Sequence, residues 1–306
     1  MEVVGVDVAS KEHVAYFNGT VETVRNTAAA LRAFLRRLPG GAAIALEATG
    51  GYGDELLRLA CEEGRAVYLL NPRRVKRFRE SLDYRAKTDR IDAELIAEYV
   101  RLHHRRLHPY EPCPEPYATL RELSRKRALL AQDRQQVAAR LGGVGLAKRE
   151  ASALLRSFDL LLARIERDIH ALLKSTPGAR EALSVVGVGP LGAAACLSAL
   201  GHHPFKSADA FVAYAGLDLR ACDSGKRKGV RRLSKRGDRV IRKTLYLCAM
   251  SASLTKTWSP YYLRKLDQGL KRVQALVALA RMLAKAVFGV VRSQTPFREP
   301  HFSLKT

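Results

Sequence analysis

The sequence predicts an α/β domain with a mixed sheet, followed by a helical coiled-coil segment and a mainly α-helical C-terminal domain. Two short apolar runs, at residues 3–8 and 43–47, are bounded by turn-forming residues and have the length of buried strands. A proline-rich segment at residues 109–116 marks a boundary. From residue 117 to about 173 the chain is rich in Leu, Ala, Arg, Glu and Gln with apolar residues at helical spacing, which indicates long helices.

The first half begins with three consecutive strands. After the run at 3–8, a second strand at 13–18 leads through an Asn18-Gly19 turn into a third strand near 21–24. The elements that follow are a helix at 27–38, a strand at 43–47, a helix at 54–63, a strand at 66–70 and a helix that begins at Asp89. Three strands followed by alternating helices and strands is the ribonuclease H-like order.

Four acidic residues stand at the ends or starts of these elements. Asp7 and Glu47 end two apolar strands, while Asp89 and Asp92 begin a helix that Thr88 caps, with a spacing that places both on one helical face. Four carboxylates repel one another unless cations hold them together, and paired divalent ions about 4 Å apart promote in-line displacement at phosphodiesters. A turn or N-cap role is the alternative for each acid alone. Together the four predict chemistry that cuts or rejoins nucleic acid.

The prolines divide the chain into four predicted segments. These are a metal-binding domain at 1–108, a stiff linker at 109–116, a helical hairpin or coiled coil at 117–175 and a C-terminal domain at 176–306. Glycines at 142, 143 and 145 are expected to break the helical segment into two helices. This hairpin is either a dimerising element or an ordinary part of a helical core.

The net charge of +23, from 53 basic and 30 acidic residues, points to a polyanionic partner. Residues 1–110 contain 18 basic and 15 acidic side chains, so the excess lies in the rest of the chain. A basic surface can also serve solubility or an anionic membrane. No apolar segment approaching about 20 residues and no signal peptide is recognised, so a cytoplasmic protein is expected. The five cysteines lie far apart, which argues against a zinc site or a disulfide framework.

The densest positive charge lies between Arg220 and Lys243, where 24 residues carry 11 basic and two acidic side chains. No aromatic residue interleaves them, so neutralisation of phosphates is the expected mode of contact. Within this stretch Ser224 lies in a short Asp-Ser-Gly turn among cations that can bind a scissile phosphate, although such a turn is usually only a turn. The competing nucleophiles are Ser234, which is expected to cap a helix at 238–253, Ser251, which is expected on the apolar face of that helix, and Cys222. Val240, Leu245, Leu247 and Met250 of the same helix are expected in the core, and Trp258 is expected to pack there rather than to stack on bases. The residues expected to bind nucleic acid are Lys226, Arg227, Lys228, Arg231, Arg232, Lys235, Arg236 and Arg239.

A glycine-containing turn at residues 185–190 leads into a helix of small residues. Gly187 and Gly189 resemble the hairpin of a helix-hairpin-helix element, in which backbone amides at a helix start contact a phosphate. A tight turn without a ligand is the alternative.

Several motifs together resemble the IS-one-ten family of insertion-sequence transposases, whose N-terminal domain is similar to the Holliday-junction nuclease RuvC. In the first half they are GVDVASK at 5–11, EATGGY at 47–52, NPRRV at 71–75 and KTDRIDA at 87–93. In the second half they are AYAGL at 213–217, DSG at 223–225 and LSKRG at 233–237. The resemblance covers the chain from Asp7 to about Arg298.

This resemblance implies a set of functional residues. Asp7, Glu47, Asp89 and Asp92 would form the DEDD site for one or two magnesium ions, and Ser224 would be the nucleophile that links covalently to DNA. Donor and target DNA, a non-coding bridge RNA and an assembly of two to four protomers are the implied partners. The implied place of action is the prokaryotic cytoplasm, at the nucleoid.

Three functions follow from these residues. The first is an RNA-guided recombinase that uses the acids and Ser224, with the halves of one site from one chain or from two. The second is a RuvC-like structure-specific nuclease in which water replaces serine, and the third is a non-catalytic nucleic-acid-binding protein. Intact acids argue against the third.

Overall fold

The chain packs as two units, Met1–Pro112 and Cys113–Thr306. The computed structural model describes residues 1–48, 51–82, 88–141, 148–221 and 231–299. Within those ranges the first unit is a mixed sheet covered by helices and the second is mainly helical. The predicted fold class is therefore confirmed.

The first unit is built on a five-stranded sheet in the order β3-β2-β1-β4-β5. Strand β1 pairs antiparallel with β2 and parallel with β4, and β4 pairs parallel with β5. The strands are β1 (Val3–Asp7), β2 (Glu12–Phe17), β3 (Thr20–Arg25), β4 (Ala43–Glu47) and β5 (Val67–Leu70). The parallel strands β1, β4 and β5 end at the same edge of the sheet, which is where α/β proteins commonly place their ligands.

Four α-helices accompany the sheet: α1 (Ala28–Arg37), α2 (Asp54–Glu62), α3 (Pro72–Ser81) and α4 (Asp89–His103), the last followed by a 3-10 turn at His104–Arg106. Helix α3 is not predicted from the sequence. It starts because the Asn71 side chain accepts a hydrogen bond from the Arg73 amide, and because Pro72 is suited to a first helical position.

Each face of the sheet has its own core. Val4 and Val6 of β1 pack with α1 and α2, whereas Val3 packs with Ile96 and Ala97 of α4. This alternation follows from the two-residue repeat of a strand. A Cβ at Gly5 would overlap the Ala93 carbonyl oxygen and lie 2.6 Å from the Ala97 amide nitrogen. The absence of a side chain at Gly5 thus allows α4 to lie directly on β1.

The second unit consists of helices and one small antiparallel pair of strands. They are α5 (Tyr117–Leu141), α6 (Lys148–Leu173), α7 (Ala179–Ser184), α8 (Pro190–Leu200), α9 (Ala208–Tyr214), β6 (Leu219–Ala221), β7 (Arg231–Leu233), α10 (Arg239–Ala252), α11 (Ser259–Asp267) and α12 (Arg272–Ser293). Helices α5 and α6 form an antiparallel hairpin, since Arg127 pairs with Glu166 and Arg134 with Asp159. The segment at 142–147 between them lies outside the described residues.

Helix α12 is the central helix of this unit. By length and composition it passes the test for a membrane-spanning helix, so the expectation that no apolar segment approaches about 20 residues is wrong. It nevertheless buries a stripe that includes Leu279, Leu283 and Val287, and it packs against α7, α8, α9, α10 and α11. Such packing is what the core helix of a helical unit requires.

Several sequence-based expectations about side chains of the second unit need correction, while one holds. Leu247 and Met250 of α10 are largely exposed, and the core is formed by other residues of that helix, including Leu245. Ser251, which was expected to face the core, is exposed. Trp258 packs as expected, because it is buried and its Nε1 donates a hydrogen bond of 2.8 Å to the Val186 carbonyl oxygen.

Replacing Gly5 by alanine is expected to destabilise the first unit by about 3 kcal/mol, because the new methyl group must push α4 away from β1. Urea denaturation followed by circular dichroism measures the loss. The matched control is Gly40→Ala, where the added Cβ would meet no atom within 4 Å. Equal stability of the two variants would contradict the close packing of α4 on β1.

Candidate active site

Asp7 and Glu47 lie at the carboxyl ends of two neighbouring parallel strands. The register pairs Gly5 with Ala45 and Val6 with Leu46, so the next residues on the two strands stand at the same level. Gly5 and Ala45 face α4, and residues two positions further along a strand face the same side. The two carboxylates therefore share the α4 face at one edge of the sheet, and both are partly buried.

Helix α4 brings its first turn to that same edge. It runs antiparallel to β1, because the Arg101 guanidinium donates a hydrogen bond of 3.4 Å to the Val3 carbonyl oxygen while Ala93 abuts Gly5. The helix begins as predicted, with the Thr88 hydroxyl accepting a hydrogen bond from the Ile91 amide. Its start is therefore beside the Asp7 end of β1.

The two acids of this first turn have different surroundings. Asp89 is exposed, whereas Asp92 is 8% exposed and its Oδ1 is paired with the guanidinium of Arg79 on α3. Arg79 is itself largely enclosed, and its Nε is buried without a hydrogen-bond partner among the described residues. The guanidinium thus supplies the countercharge that a carboxylate needs when it is removed from water.

These four acids fit a hard divalent cation in chemical type. Carboxylate oxygens are the ligands that magnesium prefers, and all four side chains belong to elements that meet at one sheet edge. Across the described ranges, however, no three His, Cys, Asp or Glu side chains lie close enough to hold one metal ion together. A cation bound through Asp92 would have to compete with Arg79 for that carboxylate.

Asn26 connects the segments that follow the two strand-end acids. Its side-chain amide lies 3.3 Å from the carbonyl oxygens of Ala9 and Ser10 and 3.1 Å from that of Tyr52. Nearby, the Ala9 amide donates to Nδ1 of His13, whose pKa is lowered by burial. A neutral imidazole is the form that accepts this bond. Asn26 and His13 thus order the turn after Asp7.

The serine expected to be the nucleophile lies outside the described residues, as do Cys222, Lys226, Arg227 and Lys228. The described chain on either side of them is β6 and β7, which pair antiparallel with Arg220 opposite Arg232 and Ala221 opposite Arg231. Lys235, Arg236 and Arg239 are exposed on the segment that leads into α10.

One competing nucleophile, Ser234, and two further cysteines of this unit have structural explanations. The Ser234 hydroxyl donates to Asp218 Oδ1, and the N-cap of α10 is Asp238 rather than Ser234, since the Asp238 carboxylate accepts from the amides of Val240 and Ile241. This corrects the expected cap. Burial raises the pKa of the Cys248 thiol, and likewise that of Cys196, so neither is a thiolate at neutral pH.

The two glycines of the proposed hairpin have different environments. Gly187 has a φ of 86°, and a Cβ there would overlap the Ala252 side chain, so packing and turn geometry account for it. Gly189 is exposed at the N-cap of α8 and lines a groove of about 300 Å³ together with Lys243 and Ser251. This helix start is therefore open to a ligand.

Two family models of known proteins match this chain, one in each half. A family model for the IS110 DEDD domain, described as a transposase, matches residues 4–144. A second, described as "Transposase IS116/IS110/IS902 family", matches residues 179–263. The chain belongs to the IS110 family of transposases. The resemblance to the IS-one-ten family is thus confirmed, and an IS110 transposase is a DNA-processing enzyme whose DEDD domain indicates binding of a divalent metal ion.

Individual relatives of this IS110 transposase are similar over most of their length. A "Pilin gene-inverting protein" from Moraxella bovis is 26% identical, with 82% of this chain and 80% of the relative covered. A "Probable family 20 transposase" from Pseudomonas aeruginosa is 25% identical over 88% of this chain and 89% of the relative. An insertion element IS116 protein from Streptomyces clavuligerus is 25% identical, with 83% of each chain covered.

Two residues near the acids, Arg79 and Asn26, were not predicted as part of the site. The Asn71-Pro72 pair is a typical helix start and is the sequence signal that could have predicted α3. A helix predicted there would have placed Arg79 and the other cations of α3 near the acids. For Asn26 no sequence signal exists beyond its position after a strand, because its acceptors lie 16, 17 and 26 residues away.

Replacing Arg79 by glutamine is expected to lower the free energy of unfolding by about 2 kcal/mol, because Asp92 then remains enclosed without a countercharge. The matched control is Arg77→Gln on the exposed face of the same helix, with an expected change within about 0.5 kcal/mol. Urea unfolding of both variants and of Arg79→Gln/Asp92→Asn measures the coupling. Additive effects in the double variant would show that the pair does not stabilise the protein.

Proposed function

We propose that this transposase cuts and rejoins DNA through a covalent phosphoserine intermediate formed by Ser224, at a site where Asp7, Glu47, Asp89 and Asp92 bind one or two magnesium ions. The observation that supports it most is the meeting of the acid-bearing elements at one sheet edge, where Asp7 and Glu47 stand level on adjacent strands and α4 begins beside them. The role of Ser224 rests on its Asp-Ser-Gly motif within the matched transposase region.

The proposed chemistry conserves the energy of the phosphodiester linkage. The Ser224 oxygen forms a bond to the scissile phosphorus while the bond to the leaving sugar oxygen breaks, and attack by a new strand's hydroxyl later reverses the exchange. Bound magnesium would stabilise negative charge on the phosphate oxygens. The acids hold the cation, and the cationic residues around Ser224 hold the phosphate. Strands are therefore exchanged without an external energy source.

The proposed partners are donor and target DNA and a structured bridge RNA. The basic side chains of the second unit suit backbone phosphates rather than base edges, as Lys235 and Arg236 are exposed on a strand-to-helix connection and Arg239 is exposed at the start of α10. A protein of this kind can leave sequence recognition to base pairing with an RNA. The proposed place of action is the bacterial cytoplasm, at the nucleoid.

Assembly into dimers and tetramers is proposed to use the α5–α6 hairpin. Leu154 and Leu161 of α6 are about half exposed and lie seven residues apart, on one face of the helix. Leu160 on the same helix and Leu129 on α5 add further exposed apolar surface. A second hairpin packed on this surface would remove it from water, and recombination between two DNA sites requires more than one protomer.

The covalent intermediate is tested with purified protein, magnesium, and DNA and RNA from its own element. A protease-sensitive protein-DNA adduct is expected on a denaturing gel and is expected to vanish in Ser224→Ala and in Asp7→Asn. Ser234→Ala is the matched control, because that hydroxyl is already bonded to Asp218. Free cleaved ends without an adduct, equal in wild type and Ser224→Ala, would instead mean a RuvC-like nuclease that uses water.

Introducing Leu154→Glu and Leu161→Glu together is expected to shift the protein toward monomers, because two charges would be buried in the proposed dimer interface. Light scattering after size-exclusion chromatography gives the mass. Leu102→Glu, at an exposed leucine of the first unit, is the control and is expected to leave the mass unchanged. An unchanged mass in the α6 double variant would exclude this surface as the interface.

A further inference from the structure

Helix α3 has an anchored face and a free face. On the anchored face Val75 is buried, and the Phe78 ring packs edge-on against Tyr99 of α4 with 5.3 Å between ring centroids. Arg79 on the same face pairs with Asp92. On the free face Arg73, Arg74, Lys76 and Arg77 are all exposed. The helix is thus held in place by one side and presents four cations on the other.

Three of these cations have no acidic partner among the described residues. Lys76 lies 3.9 Å from Glu80, whereas Arg73, Arg74 and Arg77 form no ion pair with any residue in the described ranges. In the same unit Arg32, Arg37 and Arg58 of α1 and α2 pair with glutamates, whereas Arg36 of α1 has no ion pair among the described residues. Neighbouring like charges on a helix repel each other, which lowers helix stability unless an anion neutralises them.

The position of α3 indicates which anion that is. The helix starts directly after β5, whose last residue, Leu70, pairs with Glu47, and its last turn carries the arginine that contacts Asp92. Both ends of α3 are therefore tied to acid-bearing elements. A DNA phosphate that approaches four carboxylates is repelled by them, and cations beside the acids offset that repulsion.

We propose that Arg73, Arg74 and Arg77 form a binding site for phosphodiesters of the DNA strand next to the acid edge. This inference rests on the proposed function of that edge. Guanidinium groups suit the task because their planar donors bind phosphate oxygens in a bidentate manner. Residues one helical turn apart, such as Arg73 and Arg77, are separated by about 6 Å along the axis, so they contact successive rather than identical phosphates.

The test is DNA binding by the full-length protein with Arg73, Arg74 and Arg77 all changed to glutamine. The probe is a labelled random-sequence DNA duplex, with an RNA duplex of the same sequence in parallel, and the dissociation constant is measured over a range of salt. Three lost phosphate contacts are expected to reduce the slope of log K against log salt by about 3 and to weaken binding at low salt at least about tenfold.

The matched control carries Arg32→Gln, Arg37→Gln and Arg58→Gln, which remove the same charge from paired arginines of the same unit. Its slope is expected to stay near that of the wild type. An α3 variant with the wild-type slope would overturn the inference, as would a loss confined to the RNA duplex or an equal loss in the control.

The covalent-adduct assay separates this inference from the proposed function. A wild-type protein that forms no adduct, yet loses the salt slope in the α3 variant, would refute the mechanism and support the binding site. A wild-type protein that forms the adduct, with an α3 variant of unchanged slope, would support the mechanism and overturn the binding site. Thermal unfolding of the α3 variant is expected at or slightly above the wild-type temperature, because the three side chains lose no ion-pair partner in the described chain and their mutual repulsion is removed.

Discussion

The close contact between β1 and α4 at Gly5 is the constraint on which the candidate active site depends. Because Gly5 has no side chain, Ala93 and Ala97 lie against the strand, and the start of α4 is held beside the Asp7 end of β1. Asp92 is then close enough to the neighbouring helix for Arg79 to reach it. A missing methyl group thus determines where two of the four acids are placed.

The net charge of each part of the chain describes its cationic surfaces less well than the pairing of individual arginines with acidic side chains does. The first unit is nearly neutral in sequence, yet Arg32, Arg37 and Arg58 on α1 and α2 pair with glutamates, whereas Arg73, Arg74 and Arg77 on α3 have no acidic partner among the described residues. Net charge alone pointed only to the second half of the chain as the region that binds nucleic acid. The two units therefore each have a cationic surface, and in the first unit it belongs to a helix that also touches an acid of the candidate site.

Much of the fold was predictable because its signals are local. The apolar strands, the Asn18-Gly19 turn and the Thr88 cap are each specified by a few adjacent residues, and the structure has them close to the predicted bounds. Helix α3 was not predicted because half of its ten residues are basic, so its sequence shows no apolar stripe. Its stability comes from contacts with α4. Strands β6 and β7 have three residues each, too few for a periodic pattern. The exposure of Leu247 and Met250 depends on which helices pack around α10, which a single sequence does not specify.

The Arg79–Asp92 pair has a consequence for how the protein acquires a metal ion. A site built only from carboxylates is unstable when empty, so such proteins often fold only as the ion binds. Here an internal guanidinium already neutralises the enclosed acid. If Asp92 is a metal ligand, as proposed, metal entry there would exchange one cation for another. The cost of displacing Arg79 would lower the apparent metal affinity, and in the metal-free chain Arg79 already compensates the enclosed charge of Asp92.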